Sequence, residues 1–190
     1  MKKIVLVVLS MAFGLGASEA QVDKSFYQKS YDSRNNGTFD KATNLLSFGL
    51  GIPSYYSGSG FNQSPALYGK YEHGFLRDEV GLGGYLAFGW GSWDAGGEDY
   101  NFSAFSIAVL GYYHFNKLIP VEKLDAYAGA GLGIRTFSAD DWPGADYDES
   151  GAIFVVKIGA RYYVAKNFAL YFETGYDDLS SVNFGGTFRF

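Results

Sequence analysis

Residues 182–190 read VNFGGTFRF, and the order of large and small side chains in them decides the fold. Val182, Phe184, Phe188 and Phe190 fall on one side of an extended chain, opposite Gly185, Thr187 and Arg189. A terminal segment usually frays because little holds it. This one runs to an aromatic residue with no polar tail, so a paired neighbour is expected to hold it.

The same two-residue period recurs upstream in segments of about ten residues separated by turn-type residues. The segments are 43–52, 65–74, 79–90, 102–115, 124–137, 152–164, 167–177 and 182–190, which predicts eight strands. One face carries large apolar residues such as Phe48, Leu50, Leu86, Phe88, Ile107, Val109, Leu132, Ile134, Phe154, Ile158, Leu170 and Phe172. The other is small or polar. It holds Ser47, Gly49 and Gly51, then Tyr68, Gly81, Gly83, Ser106, Tyr112, His114, Asp125, Tyr127, Gly129, Gly131, Gly133, Gly159 and Tyr171. It also holds the charges Lys70, Glu72, Glu79, Arg135, Lys157, Arg161, Glu173 and Arg189. A water-soluble sandwich shows a similar alternation with its apolar face inward. Its outer face has no reason to collect glycine, whereas a narrow closed barrel needs small residues inside to admit Tyr, Lys and Arg, with aliphatic and aromatic side chains toward lipid. The expected fold is therefore all-β: an eight-stranded antiparallel transmembrane β-barrel with up-and-down connections.

Connections after the first, third and fifth segments are long (53–64, 91–101 and 138–151); those after the second, fourth and sixth are shorter (about 75–78, 116–123 and 165–166). Long extracellular loops alternating with short periplasmic turns are the rule for such barrels, and an even strand number leaves both termini periplasmic. Composition agrees. The 190 residues include 26 Gly, 16 Tyr and 17 Phe but 4 Pro, and a mean hydropathy of -0.06 goes with a hydrophobic share of 47%. Apolar side chains are plentiful but not in blocks.

The start of the chain, MKKIVLVVLSMAFGLGASEAQ, has Lys2 and Lys3, an apolar run from Ile4 to Leu15, and small residues ending at Ala20. This is the layout of a cleaved signal peptide over residues 1–20, the apolar run being shorter than the ~20 residues a spanning helix needs. Removing Lys2, Lys3 and Glu19 changes the net charge from -5 to -6. Residues 21–42 are polar without a sustained period and read as a flexible periplasmic segment before a barrel domain over 43–190. The acidic balance excludes a nucleic-acid partner, which needs a basic patch. The absence of cysteine excludes disulfides and thiolate metal sites.

With the signal peptide, the eight alternating segments and the aromatics Phe184, Phe188 and Phe190, residues 43–190 resemble the small outer-membrane β-barrel family, the OmpA/OmpX-like barrels. The resemblance implies residence in the outer membrane of a Gram-negative cell, contact with membrane lipid and lipopolysaccharide, and insertion by the barrel-assembly machinery. The three terminal phenylalanines would be the insertion signal that machinery reads. No peptidoglycan-binding domain is expected after Phe190, which counts against a cell-wall tether. The implied role is structural or surface interaction with an unknown extracellular ligand through the long loops, with a narrow porin-like or OmpW-like channel as the alternative.

Catalytic constellations are not evident. Some small outer-membrane barrels process lipid A with a His and a Ser in a His-x-Ser-Asn arrangement. His73 and His114 are the two histidines here, and the stretch from Tyr112 to Asn116 offers no serine. Gly129–Gly133, GAGLG, lacks the spacing and the helix of a nucleotide loop. No enzyme activity and no cofactor are expected. The inward charges read as a salt-bridged lumen, or alternatively as a polar conduit with a gating pair. The acidic loop residues Asp140, Asp141, Asp146, Asp148 and Glu149, with Asp94, Glu98 and Asp99, suit a divalent cation by chemistry but lack EF-hand spacing. Trp90, Trp93 and Trp142 fit an aromatic interface girdle.

Overall fold

The computed structural model describes residues 37–54, 60–94, 97–139 and 147–190. The signal peptide expected at 1–20, most of the expected N-terminal segment (21–36), and Asp140, Asp141, Trp142 and Asp146 lie outside the described residues.

Among the described residues nine strands form one sheet: β1 (Asn44–Pro53), β2 (Phe61–Gln63), β3 (Ala66–Gly74), β4 (Val80–Asp94), β5 (Asp99–His114), β6 (Leu124–Ala139), β7 (Tyr147–Ala165), β8 (Phe168–Tyr176) and β9 (Ser180–Arg189). β2 pairs with the end of β4, ahead of β3 on the same side, so the two are one barrel strand interrupted at Ser64–Pro65. Proline has no N–H to donate to a ladder. Neighbouring strands pair antiparallel in chain order, and β1 pairs with β9, so the eight-stranded barrel is closed. Closure leaves no open edge in the part of the barrel where all strands pair.

The terminal strand is held as expected. Leu45 lies opposite Arg189 and Ser47 opposite Thr187, and the last rung is reciprocal: Asn44 N donates to Phe190 O at 3.2 Å, and Phe190 N to Asn44 O at 3.0 Å. Phe184, Phe188 and Phe190 face outward, while Thr187 is buried with its hydroxyl 2.8 Å from Ser47 Oγ.

Alternation holds all round the barrel. Outward aliphatic and aromatic side chains such as Phe48, Leu132 and Ile158 are 55%, 69% and 60% exposed, an area that water would not tolerate and lipid would cover. The inner face takes Tyr68, Tyr85, Tyr112, Tyr127 and Tyr171. Glycines make room for several of them. A Cβ on Gly129 would lie 2.6 Å from the Tyr112 ring, and one on Gly49 would lie 2.0 Å from Tyr171 Oη and 2.5 Å from the Phe184 carbonyl. Tyr112 and Gly129 are directly opposed on β5 and β6, so each large ring lies over the gap its neighbour leaves. Leu45, Leu110 and Val155 are also buried inside, so the lumen is not wholly polar.

One end of the barrel, the terminal end, carries Asn44, Phe190 and the turns at 75–79, 115–123 and 166–167. The distal end carries the other connections. Here the structure corrects two expected loops. β4 and β5 stay in register up to Asp94 opposite Asp99, and β6 and β7 up to Ala139 opposite Tyr147, so most of 91–101 and 147–151 is strand. The ladder continues past the point where the sequence period stops, because residues beyond the lipid band need no apolar outward face. β4 to β7 have 15, 16, 16 and 19 residues against 9 or 10 in β1, β3, β8 and β9. About 9–11 residues suffice for a tilted spanning strand. β4–β7 therefore rise above the rest as a wall.

Residues 37–42 are the described end of the N-terminal segment. Expected to be flexible, they seat in the terminal mouth, with Thr38 and Phe39 buried. Asn116 Nδ2 donates to the Phe39 carbonyl at 2.9 Å and Tyr163 Oη to the Thr38 carbonyl at 3.2 Å.

Candidate functional site

Two regions stand out, the lumen and the inner face of the wall. In the lumen, β3 brings Lys70 and Glu72, β5 brings His114, β6 brings Asp125 and Tyr127, β7 brings Lys157 and Arg161, and β8 brings Glu173. All are at inward positions of their strands, and all are buried.

Four of them close a ring. His114 Nε2 lies 2.6 Å from Glu72 Oε1 and its Nδ1 2.7 Å from Asp125 Oδ1. Arg161 bridges the same two carboxylates, Nη2 donating to Glu72 Oε2 at 2.6 Å and Nη1 to Asp125 Oδ2 at 3.0 Å. Both imidazole nitrogens face carboxylate oxygens, so both donate, which makes the ring an imidazolium. Two cations then face two anions. The Arg161 guanidinium lies 4.0 Å from the Tyr127 ring centroid, and Tyr127 Oη donates to Glu173 Oε1 at 2.8 Å. Glu173 in turn takes Lys70, whose ammonium sits 4.5 Å from the Tyr171 ring centroid. Toward the distal end, Lys157 donates to Asp177 Oδ2 at 2.6 Å, and Tyr68 Oη to the same oxygen at 2.8 Å. Asp177 Oδ1 also accepts from the backbone N–H of Leu179 and Ser180, so one carboxylate anchors both the lumen and the β8–β9 turn.

The remaining inward charges lie apart from this chain of contacts. Glu79 pairs with Lys117 at 2.6 Å beside the terminal mouth. Arg135 pairs with Asp178 at 2.9 Å near the distal end, partly exposed. Arg189 bonds carbonyls: Nη1 donates to Gly37 O and Thr38 O, both at 3.0 Å, and Nη2 to Lys166 O at 2.8 Å. Among the described residues the buried carboxylates are Glu72, Glu79, Asp125, Glu173 and Asp177, and the buried cationic groups are Lys70, His114, Lys117, Lys157 and Arg161, five of each. Each has an opposite partner. Buried charges that are paired and hydrogen-bonded are tolerable; isolated ones are not.

The inner face of the wall is aromatic. Trp93, expected in an interface girdle with Trp90, instead turns inward and stacks on Phe61, ring centroids 5.8 Å apart, with Tyr100 at 5.9 Å from Trp93. Phe61 also meets Phe102, which packs on Phe137. Phe102 and Phe137 are buried; Phe61, Trp93 and Tyr100 stay half-buried. Trp90 faces outward, as a girdle residue would. Around the wall Asp94, Glu98, Asp99, Asp148 and Glu149 are exposed. Among the described residues, no group of three or more His, Asp or Glu is arranged to hold a metal ion.

Neither a protein-family model nor a curated protein matches the sequence. Solved structures do. The attachment invasion locus protein Ail of Yersinia pestis, determined in complex with the heparin analogue sucrose octasulfate, is 16% identical with a TM-score of 0.50, covering 80% of this chain and 99% of that one. The outer membrane protein OprG from Pseudomonas aeruginosa is 10% identical with a TM-score of 0.50, covering 80% of this chain and 97% of that one. At these identities the likeness is one of fold: this chain is a closed eight-stranded antiparallel barrel of the kind seen in these transmembrane neighbours.

Proposed function

We propose that the protein is a non-conducting, non-enzymatic barrel of the Gram-negative outer membrane that presents the β4–β7 wall at the cell surface as an interaction surface. The observation that carries this reading is the lumen, filled by tyrosines and by four carboxylates matched with four cationic groups, with a fifth pair, Glu79 and Lys117, beside the terminal mouth. An eight-stranded barrel is just wide enough for its side chains, and a paired, neutral interior gives a small ion little to exchange its hydration for. The wall is left as the part that lipid burial does not explain. Lipid and lipopolysaccharide would surround the outward belt, and Phe184, Phe188 and Phe190 would serve the assembly machinery as its insertion signal. The reading extends to the leader at 1–20 and to periplasmic termini.

The wall's exposed groups set the chemistry of the partner. Five exposed carboxylates stand there, and Lys157 and Arg135, the described cations nearest Asp148 and Glu149 in sequence, already pair with Asp177 and Asp178. A cationic partner fits, its apolar part lying on Trp93 and Tyr100. Replacing 92–101 by an Asn-Gly turn would join the Gly91 and Phe102 rung as a two-residue hairpin. Proteoliposomes with the shortened barrel are expected to fold, to lose capture on surfaces bearing cationic peptide, and to stay as impermeable to small solutes as before. Unchanged capture with increased permeability would refute the reading in favour of a solute channel.

Orientation has its own test. A Glu98→Cys variant, its thiol beside the β4–β5 turn, is expected to react with an impermeant maleimide on intact cells. Reaction only after the cells are broken would place the wall in the periplasm.

A further inference from the structure

Where β7 turns into β8 at the terminal end, the described residues enclose an open cavity of about 290 Å³, whose lining includes Thr38, Lys123, Tyr163, Val164, Lys166 and Arg189. We propose that this cavity holds the phosphodiester of an anionic phospholipid from the leaflet at that end. Lys123, Lys166 and Arg189 would surround the phosphate, and the acyl chains would run along the outward side chains of Val164 and Tyr162. This goes beyond the surface role proposed above and uses the opposite end of the barrel.

Three observations carry it. First, Arg189 is already in place. Its guanidinium lies 4.5 Å from the Tyr163 ring centroid and gives three N–H groups to the carbonyls of Gly37, Thr38 and Lys166. A guanidinium has five donors, so two remain for a phosphate, without the cost of ordering a free side chain. Second, the two lysines are held at the rim by their backbones. Lys123 has a φ of 65°, rare for a residue with a side chain, and its carbonyl accepts from Tyr163 N at 2.8 Å. Lys166 occupies the two-residue turn just after a register shift between Tyr163 and Ala165. Neither ammonium has an ion-pair partner among the described residues, and the carboxylate on the lining is Glu122. Three cations against one anion leave the cavity positive. Third, the cavity opens onto the lipid belt, since Val164 is 56% exposed on the outward face of β7 and Tyr162 precedes it on the same face. A soluble anion would use the cations alone; a phospholipid would use both features.

The test is lipid retention by the full-length protein in detergent, read by native mass spectrometry against phosphatidylglycerol, phosphatidylcholine and inorganic phosphate. Phosphatidylglycerol is expected to be retained in preference to phosphatidylcholine and to resist displacement by inorganic phosphate. The Lys123→Gln/Lys166→Gln double variant is expected to weaken that preference about 10- to 30-fold, each cation near an anionic lipid surface contributing roughly fivefold. Folding of the variant is checked independently by its heat-modifiable gel mobility, and both lysines are exposed, so the barrel has no reason to fail. Equal retention of the two lipids, or a preference that survives the double substitution, would overturn the proposal. Ready displacement by inorganic phosphate would overturn the lipid assignment as well.

Discussion

Replacing Arg161 by Ala is expected to destabilise the folded barrel by about 3–5 kcal/mol, the cost of breaking a buried ion pair by removing one partner. Arg161 holds Glu72 and Asp125 together from one side while His114 holds them from the other. Without it the ring carries two carboxylates and one imidazolium, and an uncompensated negative charge lies buried in the lumen just inside the terminal mouth. Tyr127 would also lose the guanidinium packed on its face, 4.0 Å from the ring centroid. A Glu72→Gln/Arg161→Met variant removes one charge of each sign and leaves the His114–Asp125 pair intact. It is expected to recover more than half of the loss, because an apolar side chain of similar length can replace a buried ion at little net cost. Urea titration of both variants in lipid vesicles measures the difference. An Arg161→Ala barrel within about 1 kcal/mol of the parent would mean that water already reaches the ring and screens it, and the neutral-plug argument would fall.

The same ring shows how far the sequence could be read. Period-two alternation located all eight spanning segments, because lipid on one side and packed tyrosine on the other impose opposite demands at successive positions. It went silent at 91–94, 99–101, 138–139 and 147–151, where the ladder persists but the outward face meets water, so the wall looked like loops. The inward charges Lys70, Glu72, Lys157, Arg161 and Glu173 meet inside one lumen. Asp125, His114 and Asp177 also belong there, and a count of charge could have pointed to the two carboxylates. Lys70, Arg135, Lys157, Arg161 and Arg189 against Glu72, Glu79 and Glu173 leave two cations too many for a buried interior. The missing carboxylates are Asp125, already on the inward face, and Asp177, which sits in a turn that alternation cannot assign to either face. Arg189 escapes the lumen because β9 ends beside the carbonyls of Gly37, Thr38 and Lys166, contacts distant in sequence that no periodic signal encodes. The seating of Phe39 has the same origin.

Phe39 supplies the second large effect. It is completely buried at the terminal mouth and stacks on His114 with ring centroids 3.5 Å apart and planes 7° from parallel. It therefore covers the His114–Glu72–Asp125–Arg161 ring on the side facing the mouth. Phe39→Ala is expected to cost about 3–5 kcal/mol, as for other fully buried phenylalanines. Part of that loss is local packing and part is water admitted to the ring. Phe39→Leu keeps most of the volume and separates the two, and is expected to cost less than half as much. The Arg189, Tyr163 and Asn116 bonds to residues 37–39 go to backbone carbonyls and survive either substitution, so the segment should stay seated. Conductance then decides what closes the barrel. If the ion pairs and tyrosines of the lumen close it, Phe39→Ala barrels in planar bilayers will be less stable and still show no steady channel. If Phe39→Ala conducts steadily while Phe39→Leu does not, the seal is the aromatic cap at the mouth, and the paired charges behind it line a path instead of filling one.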